Sequence, residues 1–264
     1  MHIILLSYME SNIPVTWHYV LQLPKHKSVT KDEVNKIFMS SAGEPIPLLE
    51  QRWSILQECG KILNEKFDGE FCNCVKQSGN SAQKLLDLIV SNFPSFRDEG
   101  VFEGKRVSFY KRAQILVADI WSVFKGKVSN GIHYVIGCLE INRDVLQGLG
   151  NFSDVDIITM FADYRVPQAL VHFGAMEYSE KLYKLLSTNH MFLNGDQEEM
   201  EIRGFSIHAV ELIKEELKSH SVDANKETLP INSAMIDYFL WEYRRRFAQD
   251  LAKVPYHKVR CIYY

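Results

Sequence analysis

The sequence predicts a mainly α protein, and three observations predict it. Apolar residues recur at helical spacing along most of the chain. Few segments alternate apolar and polar residues for long. Breaks rich in Gly, Pro and Asn fall between the periodic stretches. The 264 residues suffice for a core that needs neither disulfide nor metal, and the chain reads as a single globular helical domain over 1–264. With 46% apolar and 24% charged residues, disorder is excluded as the main state.

In order along the chain, residues 47–67 carry Leu48, Leu49, Trp53, Leu56, Ile62 and Leu63 on one helical face. Residues 67–79 read as turn, with Gly69, Asn73 and Gly79 as breakers. Ser81 starts a helix that Asn92-Phe93-Pro94 stops, because Pro94 disfavours helical geometry before it. Residues 107–124 form a strongly apolar helix ending near Gly126. Residues 128–150 hold four glycines and little periodicity, and read as an atypical insertion. Ser153 caps a helix through Ile157, Ile158 and Met160, with acids in its first turn. Pro167 and Gly174 bracket the next helix, and Ser179 caps a short one. Residues 205–217 repeat the pattern. Asn232 or Ser233 opens the last long helix, and 259–264 forms a short strand or ordered tail.

Lysine and arginine number 30 against 33 acids, a net charge of −3, which speaks against a general polyanion binder and against direct nucleic-acid contact. No apolar run approaches the roughly 20 residues that a membrane helix needs, so no membrane partner is expected. Residues 1–8 lack the basic start of a signal peptide. Five cysteines, an odd number, read as reduced thiols in an intracellular, cytoplasmic protein. Cys72-Asn-Cys74 lacks zinc spacing, and no phosphate-binding loop or nucleophile elbow is present, so neither metal nor cofactor is expected.

Three blocks set polar groups in apolar surroundings. Lys105, Arg106, Lys111 and Arg112 gather where a buried helix begins, which suits either a phosphate or a solvated basic turn. Asp163 follows an apolar helix and precedes the turn fixed by Pro167. It is placed to accept two hydrogen bonds from a planar donor edge, to pair with Arg165, or to cap the following helix. Asp237 shares a helical face with Ser233, Leu240 and Trp241, where a buried acid needs either a purpose or an arginine partner.

Residues 103–123 (EGKRVSFYKRAQILVADIWSV), 158–170 (ITMFADYRVPQAL), 201–213 (EIRGFSIHAVELI), 231–243 (INSAMIDYFLWEY) and 259–264 (VRCIYY) resemble the queuosine salvage protein family. The resemblance runs from about residue 13 to the end, except across 128–150. It implies a helical fold related to DNA glycosylases. It also implies a hydrolase that splits queuosine 5′-monophosphate into queuine, recovered for tRNA modification, and ribose 5-phosphate. Residue by residue, Asp237 falls on the nucleophile or transition-state stabiliser and Asp163 on the acid that holds the base. Phe161 and Ala162 adjoin Asp163, Lys111 falls in the active-site region, and Tyr238 and Trp241 wall the pocket. Lys111, with Arg112 or Lys105 as alternatives, would meet the phosphate, and Arg165 joins the substrate-binding set. The resemblance further implies that family members carry a segment ahead of this chain's start, to which residues 1–11 show no good match. A non-catalytic reading therefore stands beside the first: the same pocket holding queuine or a partner without hydrolysis.

The residue types suit the chemistry. Breaking a glycosidic bond builds oxocarbenium-like charge on the ribose, which a carboxylate stabilises or attacks. A 7-deazaguanine offers no N7 to protonate, so the burden moves to the sugar side and to the base's donor edge.

Overall fold

Helical periodicity carries through to three dimensions. The computed structural model describes residues 29–40, 42–124, 149–220 and 231–264, and among these are nine α-helices and four short strands, the mainly α class expected. They group into two compact units, Met1–Arg97 with Ile115–Val155 and Asp98–Gln114 with Asp156–Tyr264. The expectations for residues 1–11, for Gly126 and for the insertion up to residue 148 lie outside the described residues.

In the first unit, α1 (Lys31–Phe38) opens with a capping box. Thr30 Oγ1 accepts the Glu33 N–H, and the Glu33 carboxylate accepts the Thr30 N–H. The amphipathic stretch 47–67 becomes α2 (Leu49–Lys66). Residues 67–79 are not all turn: α3 (Phe71–Gln77) forms there because Cys74 and Val75 are buried. Asn73 serves the turn before it by donating to the Phe67 carbonyl at 3.0 Å. Ser81 caps α4 (Ala82–Asn92), whose Leu85 and Ile89 are fully buried.

The helix expected after Ser153 is absent; only a 3-10 turn, Val155–Ile157, is found. Asp154 acts on a different helix. Its carboxylate accepts from Ser81 Oγ at 2.7 Å and from the Ala82 and Gln83 N–H groups at 2.7 and 3.3 Å. It thereby satisfies orphan donors at the positive end of α4. Burial opposes its charge, but the bonds from Ser81, Ala82 and Gln83 outweigh it and hold the carboxyl below its ordinary range. Asp154→Ala should cost about 1 kcal/mol in urea unfolding at neutral pH. That contribution is present above the unfolded-state pKa and is lost as pH falls through the depressed folded value.

The second unit begins with a hairpin whose last two residues, Val107 and Ser108, fall where the helix was expected to start. β1 (Glu99–Phe102) pairs antiparallel with β2 (Lys105–Ser108), with Phe102 opposite Lys105. The two-residue turn, Glu103-Gly104, has both φ angles positive (48° and 75°), the twist a tight hairpin needs. α5 (Lys111–Phe124) therefore starts four residues later than expected from 107. Pro167 sits in the first turn of α6 (Val166–His172), and Gly174, at φ 72°, follows its end. Ser179 caps α7 (Glu180–Ser187) through the Leu182 N–H. A short parallel pair joins β3 (Met191–Phe192) to β4 (Lys258–Val259), so of the stretch 259–264 read as a short strand or ordered tail only Val259 is strand. α8 (Gln197–His220) starts well before residue 205, and Asn232 caps α9 (Ser233–Arg246). Met160, Val166, Leu170, Val210, Ile236, Leu240 and Leu251 form one core among α6, α8 and α9. No described helix is long and apolar enough to cross a membrane.

Candidate active site

The core of the second unit fixes the backbone that carries the acids. Asp237 lies in the second turn of α9 and is 5% exposed; its Oδ2 accepts the Phe161 N–H at 2.8 Å. Asp163 lies in the irregular segment before α6 and is 7% exposed. Its Oδ1 accepts the Arg165 and Val166 N–H groups, both at 2.8 Å. The capping role is thus real but occupies one oxygen. Oδ2 has no hydrogen-bond donor among the described residues. Lys111, the first residue of α5, is 4% exposed, and its Nζ stands 5.8 Å from the Tyr264 ring centroid.

These three side chains, from α9, the pre-α6 segment and α5, act on one another. Burial and then the Asp163 charge push the Asp237 carboxyl well above the usual carboxylate range, against the Phe161 N–H and Lys111. Burial pushes the Lys111 ammonium down; Arg203 adds to this, while Asp163, Asp237 and Asp98 oppose it. Two buried acids and one buried amine are a costly grouping for a fold to keep, and such groupings mark functional sites.

A buried ion network supports the group. Arg203, on α8, is 1% exposed and donates to both oxygens of Asp98 (3.0 and 2.5 Å) and to Glu199 Oε1 at 3.2 Å. Its Nε donates to the Ala162 carbonyl at 3.2 Å, between the two residues that matter: Phe161, which bonds Asp237, and Asp163. Its guanidinium lies 3.9 Å from the Phe109 ring centroid and 5.0 Å from that of Tyr264. Burial works against its charge, but Tyr264, Asp98 and Glu199 outweigh burial and hold it firmly protonated. Asp98 Oδ2 also accepts the Lys111 N–H at 3.2 Å, so the network reaches the start of α5 directly. Tyr110, just before it, holds φ at 47°, a strained value for a side chain of this size. The Tyr264 hydroxyl donates to Glu199 and meets His257 Nε2 at 3.1 Å. Burial, then Arg203 and Lys111, push His257 down to about 3, so it is neutral at physiological pH.

The other expected site residues divide. Phe161 bonds Asp237 through its N–H, and Ala162 directly precedes Asp163. Arg112 is tied to the C-terminal segment, its Nη1 donating to the Ile262 carbonyl at 3.0 Å. Lys105 and Arg106 are not at a helix start: both are exposed on β2, and Arg106 lies 3.8 Å from Glu99. The solvated-turn reading fits those two. The Arg165 guanidinium lies 4.9 and 4.3 Å from the ring centroids of Tyr164 and Tyr256, which stack on each other at 5.5 Å. Tyr238 is 64% exposed, and Trp241 is half-buried with the Arg245 guanidinium 4.7 Å above it; neither contacts the acids among the described bonds.

Sequence reasoning missed Arg203, Glu199, Asp98, Tyr264 and His257 as a unit. One signal was available. Glu199 and Arg203 are spaced i, i+4 and fall in register with the buried Ser206 and Val210, so two charges interrupt an otherwise inward-facing stripe of α8.

Two buried carboxylates beside one buried amine, on a helical scaffold, can stabilise positive charge on a bound molecule. The chain belongs to the queuosine salvage protein family, whose model matches residues 4–264. Among curated relatives, a protein of Mus musculus named queuosine 5′-phosphate N-glycosylase/hydrolase is 48% identical over 256 residues, 97% of this chain and 68% of that protein. Its namesake in Bos taurus is 47% identical over 257 residues, with the same coverage. That of Sphaerobacter thermophilus is 36% identical over 259 residues, again 97% and 68%.

Proposed function

We propose that this chain hydrolyses the N-glycosidic bond of queuosine 5′-phosphate, releasing queuine and ribose 5-phosphate. The observation that carries the reading is the convergence of Asp237, Asp163 and Lys111 in one buried group, in a chain of this family.

Asp237 takes the sugar side. Burial and Asp163 make its negative charge unfavourable in the resting site, and a cationic ribose relieves that penalty as the bond to the base stretches. The gain is therefore larger in the transition state than in the ground state, which is what lowers a barrier. Asp163 takes the base: Oδ1 is fixed by the α6 N–H groups, and Oδ2 accepts from the guanine-like N–H edge. Water supplies hydroxide to C1′ and a proton to the departing base. Lys111 offsets part of the paired negative charge, which keeps both acids tolerable in one place.

Incubation of the chain with queuosine 5′-phosphate should release free queuine, detected by mass spectrometry together with ribose 5-phosphate. Binding without release would favour the non-catalytic reading instead.

A further inference from the structure

Residues 158–163, which carry Phe161 and Asp163, belong to no helix or strand. Ile158, Met160 and Ala162 are each 0% exposed, so the segment runs through the interior and its backbone polar groups need partners there. Three helices each lend one side chain. Asp237 of α9 accepts the Phe161 N–H at 2.8 Å, and Arg203 of α8 donates to the Ala162 carbonyl at 3.2 Å. The third is Gln114 of α5, whose Oε1 accepts the Thr159 N–H at 2.8 Å.

Gln114 is 6% exposed, and both ends of its amide are engaged. Its Nε2 donates to the Phe109 carbonyl at 2.8 Å and to Thr159 Oγ1 at 2.9 Å. The Thr159 N–H can only donate, which fixes the end of the amide that is oxygen. Thr159 Oγ1 donates onward to the Met160 carbonyl at 3.1 Å. Gln114 thus ties the Thr159–Met160 backbone to the first turn of α5. Lys111 lies three residues earlier on the same side of that turn, and Phe161 lies two residues beyond Thr159.

The tie bears on the charge of Asp237. The groups acting on that carboxylate are Asp163, the Phe161 N–H and Lys111. Burial and then Asp163 oppose its ionised form. The Phe161 N–H is the larger of the two influences that favour it, ahead of Lys111. A hydrogen bond weakens steeply as its angle closes, so a small slip of the segment is enough to lose it.

We propose that Gln114 is a positioning residue for Asp237: by holding the Thr159 N–H and hydroxyl to the first turn of α5, it keeps the Phe161 N–H aimed at the carboxylate. The consequence for turnover rests on the glycosidase reading above; the consequence for the ionisation of Asp237 does not.

The test is Gln114→Met, which keeps the length of the side chain and removes its hydrogen bonds. In the pH profile of kcat/KM for queuine release from queuosine 5′-phosphate, the acid limb should move up by about one pH unit. Activity on that limb then falls about tenfold and recovers as pH rises. A limb that stays in place, with an equal loss at every pH, would make Gln114 structural only and overturn the proposal. A second readout needs no turnover. Gln114 does not titrate, so the bonds it makes itself are lost equally at all pH. Raising the folded pKa of Asp237 further above its unfolded value adds a loss that grows as pH rises between the two. The Tm of Gln114→Met should therefore fall further below wild type at about pH 8 than at about pH 4, and the excess should vanish when both proteins also carry Asp237→Asn. Equal deficits at the two pH values, or an excess that persists with Asp237→Asn, also overturn it. Should Gln114→Met not fold, Gln114→Asn, which draws the amide back by one methylene, is measured in the same way. If the wild type releases no queuine while the Tm excess holds, the glycosidase reading fails and the positioning role stands.

Discussion

Asp237→Asn is expected to lower kcat for base release by about 10²- to 10³-fold while leaving the folded protein at least as stable as the wild type at neutral pH. The two effects share one cause. The carboxylate charge is held at a cost in the resting site, because burial and Asp163 both disfavour it. An amide of the same shape removes that cost and still accepts the Phe161 N–H. It cannot carry the negative charge that a cationic ribose requires. The sign follows from linkage. A carboxyl whose folded pKa lies above its unfolded value binds more protons when folded, so stability falls as pH rises from the unfolded value through the folded one. The substituted amide does not titrate, and the variant should lose that decline. Calorimetry across a range of about pH 4–8 checks the stability arm, and stopped-assay detection of queuine checks the rate. A variant with normal turnover, or one that unfolds readily at neutral pH, would count against the assignment.

Arg203→Met is expected to cost about 3–5 kcal/mol of folding stability, the largest loss of any single substitution considered. Asp98 and Glu199 are as buried as the arginine, at 1% and 0% exposure, and methionine would leave both without their guanidinium. The Ala162 carbonyl would lose its donor as well. Much of the cost lies in stranding the acids, so it should shrink when one is neutralised. In a double-mutant cycle, Arg203→Met with Asp98→Asn should be clearly less destabilised than the sum of the single changes. Urea unfolding of the four proteins gives the coupling; strict additivity would mean that the pair is not a unit. The network bonds both the Phe161–Asp163 segment and the start of α5. Its loss should therefore disturb Asp237 and Lys111 together, although Arg203 itself touches neither acid of the proposed centre.

Much of the helical plan was legible in the sequence because it rests on local rules. Ser81, Ser179 and Asn232 cap the helices they were expected to cap, and Pro167 and Gly174 bracket theirs. The failures come where a distant partner decides. Ser153-Asp154 looks like a helix start, but Asp154 is drawn to the end of α4, about 70 residues away in the chain. The hairpin at 99–108 was hidden because Phe109 and Val107 extend the apolar pattern of α5 backwards, and Glu103 is an unusual residue in such a turn. Asp163 and Asp237 stood out as acids set in apolar blocks, and the structure buries both, at 7% and 5% exposure. Arg165 was placed in the substrate set, but the acceptor that it shares with Arg244, Gln168 Oε1, was not legible, since the three residues 244–246 look like a run of charges at a helix end. The acids around Arg203 come from separate parts of the chain, and no spacing rule links Asp98 to Tyr264.

The pH dependence of kcat/KM for queuine release, compared between the wild type and Asp163→Asn, tests most directly whether the two acids share one site. With Asp237 active when ionised, activity should fall on the acid side, at a pH above the ordinary aspartate value of about 4. Removing the neighbouring charge should move that limb to lower pH, since a like charge no longer opposes ionisation. The substrate phosphate titrates identically in both measurements, so the displacement belongs to the protein. An acid limb that stays in place when Asp163 is neutralised would contradict the account.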